Sequence, residues 1–424
     1  MIGVKLRVPF GHGFLPLREG YRKKHIVSPA KPLGTHSEAS LMKSHEQIAK
    51  ETKERFGLFL KNKINPGSLE RDRTNTTFAP ELLEEAAKIG LVGFTAPKEV
   101  GGGGHGWYEW GNVLEEIGYL CTDAGLPMLL SYRESAANLV YRSKRTDLIE
   151  RYVRPAVQGK SFIGWSYSEG TDPFSFETTI RKVNGDYVLN GEKLAITGGL
   201  GDDVFITYGV NEDGNDLIAV MVERTDPGVE LTPVATMGLR SIGIARLKLD
   251  QVKVPGDRVL VPSDGVSHAQ IFINERRITG ASWVLGKMRA LLESIIEHLS
   301  HRIRYERPLT EMQTIQAAIG RMSVAIESSR LMVHSMLERV GNEDLDYLWD
   351  PNVAMAKYFL IEQAVGMAQT AQQLLGGYGY MQEFEFDRYL RDFYGVVPII
   401  GTQYTLEVDL GIRAIQQLDT TFVE

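Results

Sequence analysis

The sequence predicts an α+β fold in which a helical domain, a β-domain and a second helical domain follow one another along 424 residues. Apolar residues recur at three- and four-residue spacing from about residue 40 to 160. β-Branched and aromatic runs separated by turn signals fill residues 161–262, and the helical period returns after Gly265. We therefore expect an N-terminal arm at 1–40, a helical domain at 41–160, a β-barrel domain at 161–265 and a four-helix bundle at 266–424.

The first helical domain is indicated by residues 80–87 and 110–117, where apolar side chains return every three or four positions. The arm before it is basic, with seven lysines and arginines against one acid in residues 1–36, a composition that resembles an organelle transit peptide. Four prolines in that stretch interrupt any continuous amphipathic helix, so we expect the arm to be extended.

The middle domain is indicated by the runs 204–208 and 217–222, which are rich in valine, isoleucine and aromatic residues. Asn184-Gly185 and Asn190-Gly191 are predicted reverse turns between strands, because both residue types tolerate the positive φ of tight hairpins.

The last domain begins with an apolar stripe over residues 284–299, and two further long helical patterns follow at about 310–340 and 351–375. These stripes are wide for solvated helices, which favours a bundle with an additional packed or oligomeric face.

Composition excludes several classes of protein. The net charge of −7 and the scattered basic residues provide no positive field for nucleic acid. Cys121 is the single cysteine, which excludes an intrachain disulfide framework and a cysteine-built metal site; we expect it to be a small buried residue. Because we find no apolar stretch that could cross a bilayer and no secretory signal, we expect a cytoplasmic protein, or an organellar matrix protein if the source is eukaryotic.

Four motifs carry chemical information. Residues 189–199 read Leu-Asn-Gly-Glu-Lys-Leu-Ala-Ile-Thr-Gly-Gly, and residues 168–173 read Ser-Glu-Gly-Thr-Asp-Pro. Residues 301–309 read His-Arg-Ile-Arg-Tyr-Glu-Arg-Pro-Leu, and residues 373–380 read Gln-Leu-Leu-Gly-Gly-Tyr-Gly-Tyr, with Arg-Asp following at 391–392. Together they resemble the acyl-CoA dehydrogenase family, and the resemblance covers about nine-tenths of the chain.

The resemblance implies an FAD site. Thr197 takes the position of a hydrogen-bond donor beside flavin N5, whereas Ala195 replaces a tryptophan that covers the flavin, and the loop after Glu169 is three residues shorter than the family's. Arg302 and the Gly376-Gly377 turn would hold the pyrophosphate across a subunit contact. The full set implied for FAD is Ser168, Thr171, Thr197, Arg302, Tyr305, Gln313, Gln373, Gly376, Gly377 and Thr402. The Arg391-Asp392 pair is expected to be structural.

The family's usual catalytic carboxylate is missing. Ile400 takes the place of the glutamate in Glu-Gly-Thr, and an apolar side chain cannot accept a proton. The family's second position for the base falls at Arg276, which leaves Glu275, one residue or about 100° of helix away, as the candidate base. An exposed glutamate near a helix start is the alternative for Glu275. Arg276, Ile400 and Gly401 are predicted to bind the substrate; Arg276 could bind a carboxylate or phosphate, or form a surface salt bridge.

These residues favour an FAD-dependent oxidoreductase acting on an acyl thioester, either acyl-CoA or a group on an acyl carrier protein, in specialised biosynthesis. The resemblance implies a homodimer or homotetramer, with an electron-transfer flavoprotein or oxygen as the electron acceptor. Two alternatives stay open. The protein could be a flavin-dependent oxygenase or oxidase on the same fold, or a catalytically altered relic that serves as a binding partner.

Overall fold

The protein is described by a computed structural model, which covers residues 43–170, 175–211, 214, 216–341 and 351–421. Helices build its first part: α1 His45–Phe59, α2 Ser68–Thr74, α3 Pro80–Lys88, α4 Trp107–Leu120, α5 Gly125–Arg142, α6 Thr146–Leu148 and α7 Arg154–Val157. The predicted arm at 1–40 lies outside the described residues, as does Thr171.

Local signals explain where these helices begin and what they bury. Ser44 starts α1 with a capping box, because its side chain accepts from the Gln47 amide while the Gln47 side chain accepts from the Ser44 amide. Helix α5 is buried along nearly its whole length and forms the centre of this domain. Cys121, between α4 and α5, is 1% exposed, as predicted.

The middle domain is one sheet of eight strands: β1 Ile163–Ser166, β2 Thr179–Val183, β3 Asp186–Ile196, β4 Val204–Val210, β5 Leu217–Glu223, β6 Val229–Pro233, β7 Ala245–Val254 and β8 Val259–Val261. Hydrogen bonding follows the order β6-β7-β3-β2-β4-β5-β8, with β1 pairing in parallel with β4. The runs predicted at 204–208 and 217–222 are β4 and β5, and both are buried on both faces.

One of the two predicted turns is confirmed and the other is wrong. Asn184 and Gly185 have φ of 52° and 94° and close the β2–β3 hairpin. Asn190 and Gly191 instead lie inside β3, where the pairing register shifts. Glycine is needed there for close packing, because a Cβ on Gly191 would lie 2.4 Å from the Thr178 hydroxyl oxygen.

The last domain is helical: α8 Gly265–His301, α9 Gln313–Gly341, α10 Pro351–Leu375, α11 Gly377–Tyr380, α12 Phe386–Val396 and α13 Gln403–Thr421, with a short hairpin of β9 Ile303–Arg304 and β10 Arg307–Pro308. The predicted patterns at 310–340 and 351–375 correspond to α9 and α10. The order of helical, sheet and helical domains predicted from the sequence is confirmed.

Helix α8 joins this bundle to the first domain. Over its 37 residues it packs against α4, α5, α9 and α10. The crossing with α4 depends on glycine, since a Cβ on Gly286 would lie 1.9 Å from the Glu115 carbonyl oxygen. Residues 275–288 of α8 are buried, so any polar side chain there needs a partner or a function.

Helices α9, α10 and α13 of the bundle carry large apolar side chains that are exposed in the single chain. Leu331 of α9 is 74% exposed and Ile415 of α13 is 64% exposed, and Val324, Met355 and Val408 add to the same kind of surface. Within the described ranges, no helix combines the length and hydropathy that crossing a bilayer demands.

Candidate active site

Helix α5 holds the end of strand β3 in place. Its Leu129 packs against Gly198, where an added Cβ would lie 2.7 Å from the leucine methyl and where φ is +81°. One turn further, Arg133 forms a buried ion pair with Asp202 at 2.9 Å. Burial raises the pKa of the Asp202 carboxyl to about 6, although the arginine opposes this. Thr197, just before Gly198, is thereby buried at a fixed place beside α5.

The surface next to Thr197 is open. Ala195 is exposed, as its small side chain leaves the end of β3 uncovered, and Leu194 beside it is 40% exposed. The Leu194 amide donates to the Ser168 carbonyl at 2.9 Å, which joins this edge to the predicted cofactor loop. Ser168 and Thr197 are therefore brought to one edge of the sheet.

A buried ion pair anchors that loop. Lys193 Nζ lies 2.6 Å from Glu169 Oε1, and the two side chains are 0% and 5% exposed. Glu169 also accepts from the Glu177 and Thr178 amides at 2.5 and 3.2 Å, which closes the shortened loop onto the start of β2. Burial lowers the pKa of Lys193 to about 8, and Glu169 opposes the shift.

Two cationic side chains hold the segment that contains Ile400 through hydrogen bonds to its carbonyl oxygens. Arg277 of α8 donates from Nε to the Ile400 carbonyl at 3.2 Å, and Lys357 of α10 donates to the Gly401 carbonyl at 2.7 Å. Burial, with the nearby charge of Arg277, lowers the pKa of Lys357 to about 7. Ile400 itself is half-buried and has φ of 56°, a left-handed conformation that a β-branched side chain rarely adopts. The backbone at this position is therefore strained, at a cost of about 1–3 kcal/mol.

Arg276 is buried in the contact between α8 and α5. It is 1% exposed, and its guanidinium lies 4.1 Å over the ring of Tyr132. It donates to the Thr279 hydroxyl at 3.1 Å and approaches the Met128 sulfur at 3.6 Å. The surface salt bridge considered as an alternative is therefore wrong, because the side chain lies in the core. Burial lowers its pKa to about 10.

Glu275 is also buried, which excludes the alternative of an exposed glutamate near a helix start. It is 2% exposed and is the eleventh residue of α8. Its Oε1 accepts from Asn138 at 2.8 Å and from Arg142 at 3.2 Å, while its Oε2 has no hydrogen bond within the described residues. Burial raises the pKa of this carboxyl to about 8, against the opposing effect of Arg142.

Because α8 is a regular helix, the one-residue offset separates these two side chains. Arg276 faces the start of α5, near the residues that hold Thr197, whereas Glu275 faces its end. None of the hydrogen bonds of Glu275 described here reaches Thr197 or the Ile400 segment. The structure thus places Arg276 at the start of α5, where Leu129 contacts Gly198 beside Thr197, and Glu275 at the far side of the same helix contact. Ile400 and Gly401 are held separately, by Arg277 of α8 and Lys357 of α10.

Arg302 and the Gly376 turn form a second group at the end of α8. The Arg302 guanidinium lies 4.3 Å over the Tyr378 ring, next to the Gly376 turn. Gly376 has φ of 59°, and a Cβ on it would meet no atom within 4 Å, so its backbone faces open space. Four other predicted side chains are exposed: Tyr305, Gln313, Gln373 and Thr402. Arg391 pairs with Asp72 at 2.7 Å and the Asp392 carboxylate accepts from the Leu239 amide at 2.6 Å, which confirms their structural role.

Sequence reasoning missed Lys357 and the wall of α5 built by Met128 and Tyr132. Lys357 could have been found, because it lies on the apolar face of α10 between Val353 and Leu360, where a charged residue is unexpected. Tyr132 carries no such signal, since an aromatic residue on a buried helix is ordinary core.

The comparisons with known proteins agree with this architecture. Models of the N-terminal, middle and C-terminal domains of acyl-CoA dehydrogenase match residues 44–160, 167–252 and 263–403. A probable acyl-CoA dehydrogenase of Bacillus subtilis, YngJ, is 29% identical over 79% of this chain and 89% of its own length.

Two solved structures share the fold. Butyryl-CoA dehydrogenase from Megasphaera elsdenii has a TM-score of 0.80 at 25% identity, covering 87% of this chain and 98% of its own. A glutaryl-CoA dehydrogenase from Mycobacterium smegmatis in complex with FADH2 has a TM-score of 0.79 at 22% identity, covering 87% of this chain and 93% of its own. The matches extend over all three domains, and the chain belongs to the acyl-CoA dehydrogenase family.

Proposed function

We propose that this protein is an FAD-dependent oxidoreductase that acts on an acyl thioester. The observation that carries the proposal is that two packed helices hold the two predicted segments: α5 contacts Gly198 beside the buried Thr197, and α8 holds the Ile400 carbonyl through Arg277, while Ala195 at the end of β3 is exposed. In the proposed site Thr197 supplies a fixed hydroxyl and the Ile400 side chain supplies an apolar wall. A planar cofactor and a thioester could lie between them.

The residues present fit FAD. The Arg302 guanidinium has no acidic partner among the residues that the structure describes, and it lies 4.3 Å over the ring of Tyr378. The Gly376-Gly377 backbone beside it is open, so its amides are accessible to phosphate oxygens. Arg302, Gly376 and Gly377 would hold the pyrophosphate, and Ser168 and Thr197 would contact the flavin. FAD, when bound, supplies the acceptor for a hydride from the substrate.

The chain's own residues then have distinct tasks. Thr197 orients the cofactor ring through its hydroxyl, because α5 holds it rigidly. Arg277 and Lys357 fix the Ile400 segment, whose side chain excludes water without taking a proton. Glu275 remains our candidate proton acceptor: its buried carboxyl has a raised pKa and one oxygen without a described hydrogen bond. Because Glu275 lies at the far end of the contact between α5 and α8, a water molecule would have to carry the proton from the substrate to its carboxylate.

The test is anaerobic flavin reduction. Purified protein should be yellow, and at least one thioester in a panel of CoA and carrier-protein substrates should bleach the flavin in the absence of oxygen. The comparison between CoA and carrier-protein forms of the same acyl group identifies the carrier. An Arg302→Ala variant should lose FAD, whereas Arg304→Ala, changed on the neighbouring exposed β9 position, should keep it. A colourless protein that binds no FAD on reconstitution would overturn the proposal.

A second function is favoured by the exposure of Ala195, which leaves the site accessible to oxygen. In this case the site would admit oxygen to bound, reduced FAD, which would supply two electrons; one oxygen atom would enter the substrate and the other would leave as water. Photoreduced enzyme mixed with oxygen and thioester should then form an oxygenated product. Slow reoxidation with release of peroxide alone would exclude an oxygenase.

A further inference from the structure

A buried positive charge without an acidic partner marks the wall of the proposed substrate site. Arg276 is 1% exposed, and no acid in the described part of the chain forms an ion pair with it. Its Nε has no hydrogen bond there either. A buried charge left without a counter-ion is costly, because it has lost its hydration and gained little in return. An anion supplied by a ligand would offset this cost.

The neighbouring acid does not fill this role. Glu275 precedes Arg276 in sequence, but the helix turns its carboxyl towards Asn138 and Arg142. Burial raises the pKa of Glu275 to about 8, so much of it is neutral at physiological pH. The negative charge of Glu275 therefore balances only a part of the positive charge of Arg276.

The surroundings of Arg276 suit a small anion at the end of an apolar chain. The guanidinium rests on the face of Tyr132 and against Met128, while Phe272, one turn earlier on α8, stacks on Trp165 with ring centroids 4.3 Å apart. Leu129, on the same turn of α5 as Met128, contacts Gly198 beside Thr197. The free Nε edge of the arginine thus lies in an apolar environment close to the proposed cofactor edge.

We propose that the acyl group of the substrate carries a carboxylate and that Arg276 binds it. This inference rests on the proposed function and names the substrate class of that same site. A guanidinium presents a planar pair of donors that matches a carboxylate, and the apolar wall accommodates the carbon chain between the carboxylate and the thioester. A phosphate of the carrier arm is the less favourable partner, because Arg276 is deep in the core and the arm must reach the solvent.

The test compares thioesters matched in chain length. Dissociation constants are measured by calorimetry for succinyl-CoA against butyryl-CoA, glutaryl-CoA against pentanoyl-CoA, and adipyl-CoA against hexanoyl-CoA. In at least one pair, the wild-type protein should bind the carboxylate-bearing member roughly 10- to 100-fold more tightly, as expected for hydrogen bonds to a charged group. Arg276→Gln should abolish this preference, and Arg276→Lys should keep part of it. Arg154→Gln, which removes an exposed arginine on α7, should leave it unchanged.

Three outcomes would overturn the inference. They are equal affinity within every pair, a preference that survives in Arg276→Gln, and an equal loss of affinity for both members of a pair in that variant, which would assign Arg276 to the CoA arm. Calorimetry measures the affinity for each thioester directly, so these three outcomes can be distinguished whether or not the thioester reduces the flavin. Bleaching by pentanoyl-CoA but not by any dicarboxylic thioester would leave the proposed function standing while the inference fails.

Thermal unfolding supplies a second measurement. Arg276→Met removes a buried charge without a partner, so the melting temperature of the ligand-free variant should equal or exceed that of the wild type. The preferred dicarboxylic thioester should raise the melting temperature of the wild type and leave that of the variant nearly unchanged. Should Arg276→Met fail to fold, Arg276→Lys provides the same comparison, with a smaller ligand-induced shift expected. A ligand-induced shift of equal size in wild type and variant would contradict the inference.

Discussion

At the scale of single residues, Ile400 and Glu275 are the two positions at which the proposed function makes testable predictions. The backbone of Ile400 adopts a left-handed conformation that its β-branched side chain disfavours, and two buried cations hold it there. Strain of this kind persists only where surrounding contacts determine the conformation. The backbone at residue 400 is therefore fixed by its neighbours and not by its own side chain.

Ile400→Glu should restore a proton acceptor at this position. The side chain is half-buried and the variant is not β-branched, so we expect it to fold. The rate of anaerobic flavin bleaching by a thioester should rise by about 10²-fold or more, the contribution of a general base. Ile400→Gln has the same shape without the basicity and should show no such increase. A similar rate in the two variants would mean that proton removal does not limit the reaction.

Glu275 predicts a pH dependence of stability. The pKa of its carboxyl rises from 4.5 to about 8 on folding, so the folded protein holds this proton more tightly than the unfolded chain does. Its contribution to the free energy of unfolding is therefore fully present below about pH 4.5 and is lost as the pH rises to about 8. Glu275→Gln should flatten the dependence over that window by a few kcal/mol, measured by urea unfolding at several pH values.

The control for this measurement is Glu54→Gln, an exposed glutamate on α1 whose side chain is 64% accessible. Its pH profile should superimpose on that of the wild type. If the Glu275→Gln profile also superimposes, the carboxyl titrates in the folded protein as it does in the unfolded chain.

At the scale of elements, buried polar pairs fix the loops that carry the site. Lys193 and Glu169 join β3 to the loop after β1, and Lys357 joins α10 to the Ile400 segment. In both cases a strand or a helix holds a loop in place through a charged side chain that is buried in the core. The loops can therefore differ in length or sequence from those of relatives while the site keeps its shape.

Lys193→Met should destabilise the protein by about 3–5 kcal/mol, because it leaves the carboxylate of Glu169 buried without its cation. The double variant Lys193→Met/Glu169→Leu should recover part of that loss, since the unpaired charge is gone while the Glu177 and Thr178 amides lose their acceptor. Denaturant unfolding of both single variants and the double variant measures the coupling. Strictly additive losses would show that the pair does not act as a unit.

At the scale of the whole molecule, the C-terminal bundle exposes several large apolar side chains in one chain, on α9, α10 and α13. Where such side chains adjoin, they commonly mark an interface between subunits. We propose a homodimer or homotetramer in which a face of the bundle that carries these side chains is covered by another subunit. Arg302 and the Gly376 turn lie in the same bundle, so association would also complete the cofactor site if the pyrophosphate is held between subunits.

Leu331→Glu should dissociate the assembly, because it places a charge on a side chain that is 74% exposed on this face. Light scattering after gel filtration should show a dimer or tetramer for the wild type and a smaller species for the variant. Leu58→Glu is the matched control, since Leu58 is 70% exposed but lies on α1 of the first domain. A monomeric wild type, or an unchanged mass in Leu331→Glu, would contradict the proposal.

Local sequence patterns were sufficient to predict the order of the three domains, the long helices of the last domain and two strands of the sheet. Periodicity is a local property, so α9, α10, β4 and β5 lie where the pattern predicts them. The sequence also determined the family through short motifs and showed that residue 400 lacks a carboxylate. It failed at Asn190-Gly191, where packing against Thr178 rather than a turn requires the glycine.

The surroundings of the polar residues follow from the tertiary structure and could not be predicted from local sequence patterns. Whether Glu275 and Arg276 are exposed depends on the packing of α5 against α8, two helices distant in sequence. Among the residues that the structure describes, the same packing leaves Arg276 without an ion-pair partner and turns the Glu275 carboxyl towards Asn138 and Arg142. Burial and charge pairing arise from contacts between distant segments, and for this reason the candidate base and the anion site could be named from the sequence but not assessed there.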